Sequence, residues 1–256
     1  MKYNISIIGS GNVAWHLINV FKKNNINVSG FWARNDIASA EIQQQFGVHR
    51  FNSIQEVKTK SNIVIMAIND DAISVMSSEF ADFEGILAHT SGSVSIDSLS
   101  DKIKRPAVFY PLQTFTKGKE VDFKEVPIFI ETKNEEDQNL LQSLAKQISD
   151  KVYKASSEQR LFLHIAAVFA GNYSNFMYII AEDILKRNNL PFDALHPLIK
   201  GVVEKTIKSN AYDSMTGPAR RHDVKTLQLH SEMLKQYEQY TNIYKILAGE
   251  IGKLYA

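Results

Sequence analysis

The sequence predicts an α/β fold, a doubly wound parallel sheet, followed by a C-terminal all-α domain. Three observations carry this prediction. Residues 5–14 read as an apolar strand, a glycine turn and the start of a helix. Strand and helix patterns then alternate as far as about residue 153, whereas the chain beyond it carries helical patterns alone. We therefore predict a Rossmann-like domain over residues 1–154 and a helical domain over residues 155–256.

The glycine turn has the spacing of a phosphate-binding loop, with Gly9, Gly11 and Ala14 in the Gly-x-Gly-x-x-Gly/Ala pattern. The first glycine permits a tight turn, the second lets the backbone approach a pyrophosphate, and the alanine lets the helix pack on the strand. Phosphates would bind free N–H groups at the positive end of the helix dipole. A plain strand-to-helix turn is the alternative. We expect the cofactor contacts here to come from Gly9, Ser10, Gly11, Asn12, Val13 and Ala14.

The residues after the second strand indicate which dinucleotide is bound. NAD-binding folds place an acid after the second strand, where it holds the ribose hydroxyls. Here the predicted strand over residues 26–32 is followed instead by Ala33, Arg34 and Asn35. A guanidinium can bind a 2′-phosphate bidentately, which favours NADP(H). A solvated loop arginine is the alternative. We predict that Asp36 is the N-cap of a helix that ends at Gly47.

Further strands are predicted over residues 48–51, 62–68, 86–89, 107–110, 126–130 and 152–153. In a parallel sheet, ligands bind beyond the carboxyl ends of the strands. Small and polar residues follow several of these strands, and we add four of them to the cofactor site: Ala67, Ile68, Asn69 and Thr90. Asp70 and Asp71 have the carboxylates of a metal site, but adjacent acids before a helix are more often N-caps and first-turn charges.

The second half of the chain predicts four helices, over residues 156–188, 192–209, 223–236 and 238–253. The first of these is long and apolar, and three shorter helices leave part of its surface uncovered. A symmetric pair of chains is the commonest way to bury such a surface. We therefore expect a homodimer formed mainly through the helical domain, which would also border the substrate cleft.

The bulk composition excludes several classes of function. Lys plus Arg number 29 and Asp plus Glu number 28, so no overall field attracts nucleic acid or an anionic membrane. There is no cysteine, which rules out disulfides and thiolate chemistry. The sequence begins with a strand pattern and contains no apolar run of about 20 residues. We expect a cytoplasmic protein that acts on a small molecule.

Several motifs together resemble a known superfamily. Besides the glycine loop and Ala33-Arg34-Asn35, they are residues 89–93 (HTSGS), 110–115 (YPLQTF), 163–172 (LHIAAVFAGN) and 216–223 (TGPARRHD). With them the chain resembles the 6-phosphogluconate dehydrogenase-like superfamily, and more closely a group in which a Rossmann-like NADP-binding domain precedes a helical domain of unknown function. The resemblance covers nearly the whole chain and implies the fold and the NADP cofactor of an oxidoreductase. It does not identify a substrate.

One departure from that superfamily concerns catalysis. Its hydroxyacid dehydrogenases carry a lysine four residues before an asparagine on the long helix, and here Val168 precedes Asn172 at that spacing. His164 stands one turn earlier on the same face of a regular α-helix and can exchange protons near neutral pH. We expect His164 to act as general acid, Asn172 to orient the substrate and Ser91 to offer a hydroxyl. A hydrogen-bonded core histidine is the alternative.

These residues leave two functions open. One is a hydride-transferring enzyme that acts on a small carbonyl, imine or hydroxy compound with NADP(H). The other is a regulatory protein that binds NADP(H) without turnover, which the missing lysine supports. In the cluster 216–223 we favour a structural role for Asp223 and leave Arg220 and Arg221 open.

Overall fold

The computed structural model describes residues 3–256, and its contacts divide them into two compact units. The first unit ends at Gly171 and the second begins at Asn172. The helix Ser157–Ala167 therefore makes its contacts within the first unit. The sequence-based domain boundary at residue 154 remains a prediction.

The first unit is built on one seven-stranded sheet. Its strands are β1 (Ile5–Ile8), β2 (Val28–Trp32), β3 (Ile63–Met66), β4 (Ile86–His89), β5 (Pro106–Pro111), β6 (Ile128–Thr132) and β7 (Val152–Lys154). They lie in the order β2-β1-β3-β4-β5-β6-β7, so the strand order reverses between β1 and β3. In such sheets the crevice at this reversal is where ligands bind.

Helices cover both faces of the sheet. They are α1 (Asn12–Lys23), α2 (Asp36–Phe46), α3 (Ile54–Lys60), α4 (Asp70–Ser78), α5 (Glu135–Lys146) and α6 (Ser157–Ala167). One buried cluster joins Ile7 and Ile65 to α1, α2 and α5, and the other joins Ile8 and Val64 to α3 and α4. Neighbouring strand residues point to opposite covered faces, which is why β3 is apolar throughout and β1 is apolar except for the buried Ser6. The predicted doubly wound α/β class is confirmed.

The structure corrects two local predictions. Residues 48–51 form no strand, only a single parallel bridge between Phe31 and Arg50 at the edge of β2. The N-cap of α2 is Asn35 rather than Asp36, because the Asn35 side chain accepts the Ala38 N–H at 3.0 Å. The predicted end of α2 at Gly47 is confirmed by its left-handed φ of 61°.

Strand β6 departs from the parallel arrangement that the alternating pattern predicts. It runs antiparallel to β5, while every other pair in the sheet is parallel. A parallel connection needs a crossover of a dozen or more residues, usually a helix. Between β5 and β6 the described chain forms no α-helix, only a short 3₁₀ turn at Phe123–Glu125, so it lacks the crossover helix that usually joins parallel strands.

The second unit is helical, as predicted. It contains α7 (Ser174–Arg187), α8 (His196–Lys208), α9 (Ala211–Ser214), α10 (Val224–Leu234) and α11 (Glu238–Leu254), with a 3₁₀ turn at Phe192–Leu195. Within the described chain no helix is long and apolar enough to cross a membrane.

The predicted long helix over residues 156–188 is not α-helical throughout. Between α6 and α7, Val168–Tyr173 form a π-helical segment. Here the hydrogen bonds run from i to i+5 instead of i to i+4. The prediction of one continuous α-helix is therefore wrong, whereas the expectation that His164, Val168 and Asn172 share a face stays a prediction.

Candidate functional site

A cleft of about 420 Å³ opens at the carboxyl ends of β1, β2 and β3, where the strand order reverses. Nine residues predicted to bind the cofactor line it: Gly9, Ser10, Gly11, Ala33, Arg34, Asn35, Ala67, Ile68 and Asn69. Five others complete the wall: Ile8, Trp32, Ala72, Val75 and Met76. These five were not predicted from the sequence, although the apolar face of α4 was a usable signal for Ala72, Val75 and Met76.

The turn after β1 is held between the two neighbouring strands. Gly9 donates its N–H to the carbonyl of Trp32 at 2.8 Å, and Ala67 donates its N–H to the carbonyl of Ile8 at 2.8 Å. Gly9 has a φ of 123°, and a Cβ there would lie 2.2 Å from the Ala67 oxygen. Both the conformation and the close approach require glycine.

The N-terminus of α1 is suited to an anion. Its N-cap is Gly11, and in the described chain no side chain caps it and no acid occupies its first turn. A Cβ added at Gly11 would meet nothing within 4 Å. The first N–H groups of a helix have no intrahelical partner, so they can bind an anion in this open space.

Four predicted cofactor residues do not line the cleft. Ala14 is fully buried, as its predicted packing role requires. Asn12 accepts the Lys117 N–H at 3.3 Å through its Oδ1, and Val13 is packed against the core. Thr90 donates its N–H to the Met66 carbonyl at 3.1 Å.

Arg34 lines the cleft, and its positive charge is not paired with an acid of the described chain. Its side chain is exposed, and it makes no hydrogen bond or ion pair with any residue from 3 to 256. The neighbouring Asn35 is occupied as the helix cap. The guanidinium is thus available to an anionic group of a ligand.

A second group of polar residues follows β4, in the loop from Thr90 to Ser93. The Ser91 hydroxyl accepts the N–H groups of Ser93 and Val94 at 3.1 and 3.0 Å. The Ser93 hydroxyl donates to Asp70 at 2.5 Å. Ser91 thus shapes the loop, and Asp70 has its predicted first-turn place in α4. No group of three or more metal-ligating residues occurs in the described part of the chain.

Arg160, a buried residue of α6, fastens this loop from the other side. Its Nη1 donates to the carbonyls of Ser91, Gly92 and Val94 at 3.1, 3.3 and 2.7 Å. Its Nη2 donates to Glu131 of β6 at 2.9 Å. The ion pair and the carbonyls together offset the cost of burying the charge. Arg160 was not predicted from the sequence, because a helical arginine is ordinarily solvent-exposed.

His89, at the end of β4, is buried and uncharged. Burial lowers its pKa to about 4, and the positive charge of Arg160 acts in the same direction. Its Nδ1 accepts the Ser91 N–H at 3.2 Å, which requires an unprotonated nitrogen there. His89 therefore supports the loop as a neutral ring near pH 7.

His164 of α6 meets Tyr110 of β5 over the same loop. The Tyr110 hydroxyl lies 3.4 Å from Nδ1 of the half-buried His164 ring. Both face Gly92, where a Cβ would lie 2.8 Å from each of these atoms. Burial raises the pKa of Tyr110, so its hydroxyl keeps its proton near pH 7. The structure thus brings His164 and Ser91 to one loop and adds Tyr110.

The remaining predicted residues lie in the second unit. Asn172 is its first residue and is exposed, and its role stays a prediction. Asp223 caps α10 by accepting the Thr226 N–H at 3.1 Å, as expected. Arg220 donates to the carbonyls of Asp213 and Met215 and lies over the Tyr255 ring. These contacts give Arg220 a bracing role within the helices.

Comparison with known proteins supplies a family. The family described as "Domain of unknown function (DUF2520)" matches residues 126–251. The crystal structure of "putative NADP oxidoreductase BF3122" from Bacteroides fragilis is similar over 98% of each chain, with 33% identity and a TM-score of 0.91. No curated protein matches the chain.

Two more distant structures share the fold. Protein TM1727 from Thermotoga maritima is 19% identical, covers 97% of this chain and 99% of its own, and has a TM-score of 0.79. An imine reductase from Myxococcus stipitatus in complex with NADP⁺ is 14% identical, covers 98% and 92%, and has a TM-score of 0.69. Because the Bacteroides protein matches almost end to end, the chain belongs to its family of Rossmann-like proteins with a C-terminal DUF2520 region.

Proposed function

We propose that this protein is an NADP(H)-dependent oxidoreductase acting on a small carbonyl, imine or hydroxy compound. One observation carries the proposal: a cleft at the strand-order reversal joins an uncapped helix N-terminus to the unpaired Arg34. This combination offers separate places for a pyrophosphate and for a 2′-phosphate. The name of the Bacteroides relative and the NADP⁺ in the imine reductase complex support the choice of cofactor.

The residues of the cleft fit such a dinucleotide. The open space at Gly11 lets the pyrophosphate approach the N–H groups of Asn12 and Val13. The side chains of Val75 and Met76, together with Ile68, would form an apolar wall beside the adenine. When bound, the cofactor would supply or accept a hydride, and the protein would supply position and a proton.

The loop from Thr90 to Ser93 is where we place the substrate. Tyr110 and His164 meet at Gly92, so either side chain is placed to protonate the oxygen or nitrogen that gains charge when a hydride arrives. Arg160, on the same helix as His164, binds the carbonyls of Ser91, Gly92 and Val94, which holds this loop in place beside the proton donor. We assign the general acid to His164, with Tyr110 as its hydrogen-bond partner.

A binding protein without turnover is the second candidate. It is favoured by Val168, which stands where the hydroxyacid dehydrogenases of the superfamily carry a lysine. The Ser91 hydroxyl also has its hydrogen bonds inside the loop, which leaves fewer groups for chemistry.

We also propose that the protein forms a homodimer through its helical unit. Tyr237 is the one buried hydrophobic residue among residues 172–256, so this unit has almost no core of its own. Large apolar side chains such as Leu198, Ile207, Leu229, Met233 and Ile246 are exposed by more than half. A soluble monomer seldom exposes so much apolar surface, and a second copy would cover it.

The first prediction concerns cofactor choice. Replacing Arg34 by Ala should weaken NADPH binding by about 1–3 kcal/mol, because a charge-assisted contact with the 2′-phosphate is lost. NADH lacks that phosphate, so its affinity should hardly change. Calorimetric titration of both cofactors is the measurement, and Lys102→Ala, an exposed cation outside the cleft, is the control. Equal losses for NADPH and NADH would remove Arg34 from the phosphate site.

The second prediction concerns chemistry. Small carbonyl and imine compounds with NADPH, and hydroxy compounds with NADP⁺, should be screened by following absorbance. On a compound that turns over, His164→Gln should lower the rate by about 10²–10⁴-fold, because the general acid is lost, while NADPH affinity stays unchanged. His222→Gln, in the second unit, should keep the rate. Full turnover in His164→Gln would refute the assignment, and a screen without turnover would favour the binding protein.

The third prediction concerns assembly. Light scattering at micromolar concentration should give about twice the 29.0 kDa mass of one chain. Leu229→Lys combined with Met233→Lys, one turn apart on α10, should shift the mass toward the monomer, because charges would enter the apolar interface. Ile37→Lys, at an equally apolar and exposed position of the first unit, should remain dimeric. A wild-type mass of one chain would contradict the proposal.

A further inference from the structure

We propose that Arg50 is a second determinant of cofactor choice, which acts by neutralising Asp36 beside the 2′-phosphate site. The proposal rests on the proposed function, because it concerns how the same cleft distinguishes NADP(H) from NAD(H). It assigns a role to a residue that neither lines the cleft nor belongs to the glycine loop.

Arg50 is held in place by the backbone. The bridge between Phe31 and Arg50 fastens its segment to β2, with the Phe31 N–H donating to His49 at 2.9 Å and the Phe51 N–H donating to Phe31 at 2.8 Å. Residues 48–51 form no other strand pairing in the described chain. This short connection is enough to place the Arg50 side chain beside the end of β2.

From that position Arg50 binds the loop that carries Arg34. Its Nη2 donates to the Ala33 carbonyl at 3.0 Å and to Asp36 Oδ1 at 2.6 Å. The Arg50 side chain is 29% exposed and that of Asp36 is 84% exposed. An ion pair to so exposed a carboxylate ordinarily contributes little to stability. Here the guanidinium nitrogen that binds Asp36 also binds the Ala33 carbonyl, so the pair is fixed to the backbone of the loop.

The Asp36 carboxylate would otherwise oppose an NADP site in two ways. It lies two residues after Arg34, so its negative charge would repel a 2′-phosphate bound there. It could also pair with the Arg34 guanidinium, which is free of partners within residues 3–256. By binding Asp36, Arg50 cancels the charge and leaves Arg34 available to the ligand.

This role separates the two cofactors. A 2′-phosphate carries up to two negative charges, whereas NADH presents a neutral hydroxyl in its place. Loss of Arg50 should therefore affect NADPH and leave NADH nearly unchanged. An arginine that only supported the shape of the loop would affect both cofactors alike.

The test uses binding alone and needs no substrate. Titration of the full-length protein with NADPH and with NADH should show that Arg50→Gln weakens NADPH about tenfold, the size expected for one uncompensated charge near a dianion at a wet surface. Adding Asp36→Asn to Arg50→Gln should restore NADPH affinity, because it removes the charge that Arg50 neutralises. Thermal unfolding of each variant verifies that it is folded.

The control is Lys58→Gln, since Lys58 likewise joins a backbone carbonyl, that of Glu79, to an aspartate, Asp82. This pair lies outside the cleft, so neither affinity should change. Equal weakening of NADPH and NADH by Arg50→Gln, or a double variant that stays weak for NADPH, would overturn the inference while leaving the proposed function intact. Wild-type protein that bound neither cofactor would overturn the proposed function itself.

Discussion

The contact between Gly9 and the carbonyl of Ala67 is the constraint on which the arrangement of the cleft depends. It brings the turn after β1 against the end of β3, so close that a Cβ at residue 9 would stand 2.2 Å from that oxygen. The chain can then enter α1 immediately, with Gly11 as an N-cap that leaves the helix end open. The turn thereby places the N-terminus of α1 at the cleft.

A comparable constraint organises the loop after β4. Arg160 reaches from α6 into the interior and holds three carbonyls of residues 91–94, while Glu131 balances its charge. Removing one partner of such a buried pair typically costs about 3–5 kcal/mol, because the other charge is left without compensation. Arg160 therefore joins β6 of the sheet to the loop against which Tyr110 and His164 pack at Gly92.

The sequence was sufficient for the features that depend on local patterns. The glycine turn, the apolar strands β1 and β3, the helical second half and the cap at Asp223 follow from periodicity and capping preferences. The cap of α2 was missed by one residue, because Asn35 and Asp36 are both good N-caps and only the backbone conformation distinguishes them.

Features that depend on contacts distant in sequence could not be predicted in this way. Arg160 looks ordinary in the sequence, and Tyr110 is marked there only as the first residue of the motif 110–115. Their roles arise because α6, β5 and the loop after β4 meet in the fold. The π-helical segment at Val168–Tyr173 has an apolar pattern that also fits a regular α-helix. The ion pair of Arg50 with Asp36 joins residues separated by the whole of α2.

We propose that the open N-terminus of α1 binds the pyrophosphate of NADP(H) and that Arg34 binds its 2′-phosphate. A crystal structure of the protein grown with NADP⁺ tests this most directly. We expect the pyrophosphate within hydrogen-bonding distance of the N–H groups that follow Gly11, and the 2′-phosphate on the Arg34 guanidinium. A dinucleotide bound elsewhere, or one whose 2′-phosphate points away from Arg34, would contradict it.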